Sequence, residues 1–172
     1  LVHESAHERW GNAVSAESWG DFWIHEGFGT FAEAVYLEHV KGREIADKHM
    51  QDWKASVGKK ARVFRGLNVD SGKAYNINVY SKGAWVLHML RNLVGEEQYH
   101  EAVKNYLERH ALSDVETDDL REAFEEISGL PLDKFFDQWV YHGGVPELKV
   151  TYKWLAKDKM AHVTIEQTHQ TN

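Results

Sequence analysis

His3-Glu4-Ser5-Ala6-His7, read together with Trp23-Ile24-His25-Glu26-Gly27-Phe28, is the part of the chain from which the rest can be worked out. Residues four apart on a helix share a face and lie about 6 Å apart along the axis, at ~1.5 Å rise per residue. Two imidazoles so placed can reach one metal ion at about 2.0–2.1 Å. Glu4 lies roughly 100° round from His3, so it borders such an ion without having to ligate it. A His-Glu-x-x-His string arises by chance roughly 0.07 times in a chain of this make-up, so its weight depends on the residues downstream of His7. A third histidine at the metzincin spacing is missing, because Trp10 and Ala13 occupy those positions. Eighteen residues separate His7 from Glu26. Glu26 is therefore the expected third ligand, giving a His, His, Glu site for one Zn2+ with a position left open for water. In such a site the neighbouring glutamate, here Glu4, works on the activated water.

Composition narrows the surroundings of that site. A chain of 172 residues, 42% hydrophobic, can bury one sizeable core with at most a small second unit. A formal charge of −7 argues against a nucleic-acid surface, which would carry a basic face. No apolar run approaches the ~20 residues needed for a transmembrane segment. The lack of cysteine excludes disulfides and thiolate ligands but leaves the compartment open. Leu1-Val2 precedes the first ligand directly, with no initiator Met and no signal pattern, so an excised piece of a longer protein is expected.

Outward from the motif, helical periodicity dominates. Residues 1 to about 14 are expected to form one helix, closed by Asn12 and Ser15-Ala16-Glu17. Ser18 is expected to cap a second helix, with Asp21 in the capping-box position. Gly27 and Gly29 would weaken it unless they mark a bend or close backbone packing, and Gly42 would stop it. A helix is expected over 43–57, then a polar loop over 59–78. From Val79 a stripe of Tyr80, Ala84, Leu87, Leu90 and Val94 runs to Gly95. Further helices are expected over 96–109, from a Thr117 cap to Gly129, and from Pro131 through Trp139. After Gly143-Gly144 the period falls to two, with Leu148, Val150, Tyr152 and Trp154, a turn at Lys157-Asp158, then Ala161, Val163 and Ile165. The fold class is thus mainly α: a helical lobe over 1–144, then over 145–172 a β-hairpin too small to stand alone, taken as the start of a β domain.

Several of these strings together resemble the aminopeptidase N-like gluzincin metallopeptidases. They are VHESAH, WGN at 10–12, Trp19, DFWIHEGFGTFAEA at 21–34, VYSKGAWVLHMLR at 79–91 and FFDQWVYHGGVPEL at 135–148. The resemblance implies the helical lobe of a thermolysin-like catalytic domain running into a β-sandwich. It implies that His3, His7 and Glu26 bind one zinc ion, that Glu4 is general base and acid, and that Tyr80 donates a hydrogen bond to the tetrahedral intermediate. Glu33, seven residues after Glu26 on the same helix face, could accept a hydrogen bond from a ligand histidine. Three features depart from the family pattern. Arg9 replaces an aromatic residue, His25 replaces an Asn, and the Gly-x-Met-x-Asn strand that binds the substrate's amino end is not in the chain.

The functional expectation is zinc-dependent peptide hydrolysis releasing N-terminal residues, with low turnover where the upstream lobe is lacking. The alternatives are a zinc endopeptidase or epoxide-hydrolase type of gluzincin, or a non-catalytic helical module tied together by zinc. The partner implied is a peptide substrate, and the surface that the upstream lobe would cover could support self-association. His25 is expected to be structural rather than a ligand, because it points about 100° away from Glu26. Trp10, Trp19, Trp23 and Trp139 are expected in the core. Asp118, Asp119, Glu122, Glu125 and Glu126 are expected on a solvated helix face.

Overall fold

The computed structural model describes residues 1–58 and 62–169. Its architecture is the expected one, helices followed by a terminal hairpin. Helix α2 (Trp23–Lys41) runs through the middle. Against it pack α1 (Val2–Ala6), α3 (Arg43–Lys54) and α5 (Gly83–Val94). Two more helices, α6 (Glu96–Arg109) and α7 (Thr117–Ser128), pair with each other, and α6 touches α5. Trp23, Ile24, Phe28 and Phe31 of α2, Leu87 and Leu90 of α5, Tyr106 of α6 and Phe124 of α7 form the core between them. Gly42, at φ +91°, lets the chain leave α2 and start α3 without a break.

The first helix is shorter than expected. It ends at Ala6, and residues 7–13 fold into turns in which Val14 N–H donates to the Arg9 carbonyl. Tertiary pairing overrides helix propensity here. Strand β1 (Val14–Ala16) pairs in parallel with β2 (Ser113–Val115), with Val14 opposite Ser113, a contact across nearly a hundred residues that local patterning cannot signal. Ser18 does not cap α2 either. Its hydroxyl donates to Asp21 at 2.7 Å and closes a turn, and the helix starts two residues after Asp21, behind Phe22.

The helix cap expected at Thr117 belongs to Glu116. Its side chain and that of Asp119 form a reciprocal capping box, which frees Thr117 for a buried bond described below. The loop from Lys59 to Asn78 holds a short α4 (Ser71–Ala74), and its first residues, 59–61, lie outside the described ones. Two π-helical turns, Asn78–Lys82 before α5 and Asp137–Tyr141 after α8 (Asp133–Phe136), depart from the expected 3.6-residue pattern. α8 begins two residues beyond Pro131.

The hairpin has β3 (Leu148–Leu155) antiparallel to β4 (Met160–Gln167), with Val150 opposite Ile165 and Tyr152 opposite Val163. Its apolar face is exposed, as Tyr152, Trp154 and Ile165 show. The last expected hairpin residues, 170–172, lie outside the described ones. Of the four tryptophans expected in the core, Trp23 is fully buried. Trp10 and Trp139 are half-buried against the core, and Trp19 is 42% exposed, tilted against the buried Phe22 and the exposed Tyr75.

Candidate metal centre

Three elements meet where α1 crosses the first turns of α2 and the π-helical turn before α5. Short though α1 is, it and its C-cap residue hold His3 and His7 on one side, with ring centroids 4.8 Å apart. Glu26 comes from the first turn of α2 and is 6% exposed. Its Oε2 lies 3.0 Å from His3 Nε2 and 3.7 Å from His7 Nε2. One potential ligand atom from each of the three residues falls within 4.8 Å of the others. Tetrahedral ligands at about 2.0–2.1 Å from zinc would stand about 3.3–3.4 Å from one another, so the observed separations bracket that edge. The residues fit a divalent ion.

The ring orientations suit the same role. His7 Nδ1 donates to the Trp10 carbonyl at 3.0 Å, which leaves Nε2 as the nitrogen facing Glu26. His3 turns Nε2 to Glu26 and Nδ1 to Glu33 Oε1 at 3.5 Å. Glu33 is less buried, at 35% side-chain exposure, and its other oxygen lies 3.7 Å from His49 Nε2 on α3. The closeness of His3 to α2 depends on Gly29, where an added Cβ would fall 2.9 Å from His3 Cε1. Gly27 has the matching task two residues earlier, since a Cβ there would meet the Gly83 backbone at 3.2 Å. Both glycines therefore mark close packing, and α2 continues unbroken through them.

Tyr80, in the π-helical turn, stacks on His3 with centroids 6.0 Å apart and planes 24° apart. Burial raises its phenol to about 12, helped by the Glu26 carboxylate it approaches and more weakly by Tyr75 and Glu4. Glu4 is exposed on the open side of α1. The structure thus brings His3, His7, Glu26 and Tyr80 together, with Glu33 behind His3 and Glu4 at the rim.

His25 sits apart from this cluster. Its Nε2 accepts a hydrogen bond from Ala16 N–H at 2.8 Å, tying β1 to α2. Burial, then the nearby His7, pushes its imidazole down to about 4, which keeps that nitrogen an acceptor. The acidic residues of α7 are less uniformly solvated than expected. Arg121 bridges Asp118 and Glu125, and Glu125 also accepts from Leu132 N–H. Sequence reasoning missed the Trp10 carbonyl, which has no side-chain signal. For Gly27 and Gly29 it offered a bend or close packing, and the structure shows close packing, with His3 as the neighbour of Gly29.

The chain is similar to several known proteins. The profile of the peptidase family M1 domain matches residues 1–139. Glutamyl aminopeptidase of Bos taurus is 29% identical over 173 residues, covering 95% of this chain and 17% of that protein. Aminopeptidase M1-A of Oryza sativa subsp. japonica is 31% identical over 170 residues, covering 89% of this chain and 18% of that protein. The chain therefore spans about a fifth of the length of these relatives. Among solved structures, Legionella pneumophila aminopeptidase A, in complex with aspartic acid, shares the fold at TM-score 0.85 and 23% identity, covering 96% of this chain and 19% of that one. A mutant M1 zinc metallopeptidase from Deinococcus radiodurans, bound to a Tyr-Ser-Ala substrate, aligns at TM-score 0.74 and 26% identity over 85% of this chain and 33% of that one.

Proposed function

The chain belongs to peptidase family M1, and from that premise we propose that it supplies the zinc-binding and proton-transfer residues of an aminopeptidase. The observation that carries this reading is the convergence of His3 Nε2 and His7 Nε2 on one oxygen of the buried Glu26. Three such groups turned on one another form a poor structural cluster and a good divalent cation site. His3, His7 and Glu26 would hold the ion, and when bound zinc supplies a Lewis acid that acidifies water and polarises a carbonyl.

The remaining steps belong to side chains. Glu4 takes a proton from the attacking water and returns it to the leaving amine, a role its position at the open rim allows. Tyr80, with its phenol raised to about 12, stays protonated at neutral pH and can donate to the oxyanion that develops on the substrate. The Trp10 carbonyl accepts the outward N–H of His7, and Glu33 faces the outward Nδ1 of His3 at 3.5 Å, so both favour Nε2 as the inward nitrogen. Aminopeptidase names among the relatives, and the tripeptide bound to the Deinococcus protein, support a peptide substrate with a free amino end.

The test begins with metal content. Purified chain is expected to take up one zinc per molecule, and hydrolysis of free tripeptides should vanish with a chelator and return with zinc. Glu4→Gln should keep the zinc while lowering kcat/KM by about 10²–10⁴. Full activity in Glu4→Gln would refute the assignment, and equal cleavage of N-acetylated peptides would move it to an endopeptidase.

A further inference from the structure

Behind His3 the polar groups continue outward into α3. Glu33 Oε1 faces His3 Nδ1 at 3.5 Å, and Glu33 Oε2 faces His49 Nε2 at 3.7 Å. The His49 Nε2 atom is shielded from solvent and has no hydrogen-bond partner among the described residues. A buried donor without a partner is uncommon and calls for an explanation. Glu33 Oε2 is an acceptor 3.7 Å away, and a shift of under about 1 Å would bring the pair within hydrogen-bond range.

The ring is held for this role from two sides. Trp53, one turn along α3, packs on it with centroids 4.2 Å apart. Trp85 Nε1 donates to the Met50 carbonyl at 3.0 Å, which anchors the backbone beside His49 to α5. So His49 approaches Glu33 from a packed helix rather than from a free surface loop.

We infer that His49 is a positioning residue of the metal centre, donating from Nε2 to Glu33 and thereby fixing the carboxylate that orients His3. This deepens the zinc reading above and rests on it. A carboxylate gripped on one oxygen only can rotate away from the imidazole it serves. Held on both, it keeps the His3 ring turned with Nε2 inward. Contacts one layer out from metal ligands commonly change metal affinity by about 10–100-fold. His49 stands one layer further, so a loss of about fivefold to tenfold is expected on its removal.

Zinc affinity measured by competition with a chromophoric chelator tests this, with metal-free thermal unfolding recorded in parallel. His49→Leu removes the donor at similar bulk and should weaken zinc by that factor, with its metal-free melting temperature close to the original. His49→Gln, which keeps an N–H donor, should restore affinity to within about twofold. In Glu33→Gln, adding His49→Leu should bring no further loss, because the two act through one chain. Equal affinity of His49→Leu and the original chain would overturn the inference while leaving the zinc site standing. Equal losses in the Leu and Gln variants would also overturn it. Failure of the original chain to bind zinc would remove both readings together.

Discussion

Asp21 and Glu26 are two buried carboxylates five residues apart, and their surroundings differ in kind. Asp21 is 2% exposed and fully served by the chain. Oδ1 accepts from Thr117 N–H at 2.9 Å and from its hydroxyl at 2.7 Å, and Oδ2 accepts from Ser18 at 2.7 Å. The Thr117 hydroxyl in turn accepts from Trp23 Nε1 at 2.9 Å. Glu26 has around it two imidazoles and a phenol, groups that would surround a cation as readily as they surround a carboxylate. The first is a clip between the start of α2 and α7. The second is a socket. Burial alone does not tell them apart; the identity of the donors does.

The largest expected effect sets these two against each other. Asp21→Ala leaves two Thr117 donors and the Ser18 hydroxyl without their charged acceptor, and should destabilise the metal-free chain by about 3–4 kcal/mol. Glu26→Gln should change the same urea-unfolding free energy by less than about 1 kcal/mol, because a poorly matched buried charge contributes little. Its zinc affinity should nevertheless fall by more than the roughly 100-fold that an outer contact can account for. Similar destabilisation by the two variants, without metal, would erase the distinction between clip and socket.

A smaller effect separates the socket from the clip by its dependence on helix crossing. At Gly83, three residues after Tyr80, an added Cβ would lie 3.0 Å from the Cα of Gly27, the residue after Glu26. In a free helix Gly→Ala would stabilise by up to about 1 kcal/mol. Here overpacking against backbone should win, for a net loss of about 2 kcal/mol. Gly83→Ala should also part Tyr80 from Glu26, so its phenol should titrate closer to 10, seen by absorbance in a pH titration. A stabilised variant with an unmoved phenol would mean that the crossing has slack.

How much of this is legible in the sequence depends on the range of each interaction. The strings that bring His3, His7 and Glu26 together, the Gly42 and Gly95 stops, the α6 limits and the two hairpin strands have a local physical cause. The pairing of β1 with β2 and the bond from Asp21 to Thr117 span more than ninety residues, and no local period announces them. Ser18 and Thr117 look like helix caps because their residue types favour that role, yet both side chains bond Asp21 instead. The π-helical turn under Tyr80 is invisible for another reason. It inserts one residue into a helical repeat, and an apolar stripe read at 3.6 residues per turn passes straight over it.

A third buried charge shows what burial alone does to a cation. Lys82 is 3% exposed, closes the same π-helical turn and donates to the His142 carbonyl at 3.2 Å. Burial pushes its ammonium down to about 8 from 10.5. Below pH 8 both the folded and unfolded chains carry this proton, and the unfavourable burial of charge is fully present. Between 8 and 10.5 the unfolded chain holds more protons, so stability rises with pH, by about 1.5 kcal/mol between 8 and 9.5. Tyrosines raised by burial, Tyr80 among them, work the other way as pH approaches 10, because their folded forms keep the proton longer. Lys82→Met carries the same tyrosines and therefore isolates the lysine. Urea unfolding across that window should show a gentle rise in the original chain relative to the variant. Parallel curves would mean that burial does not hold the folded Lys82 ammonium below its ordinary range.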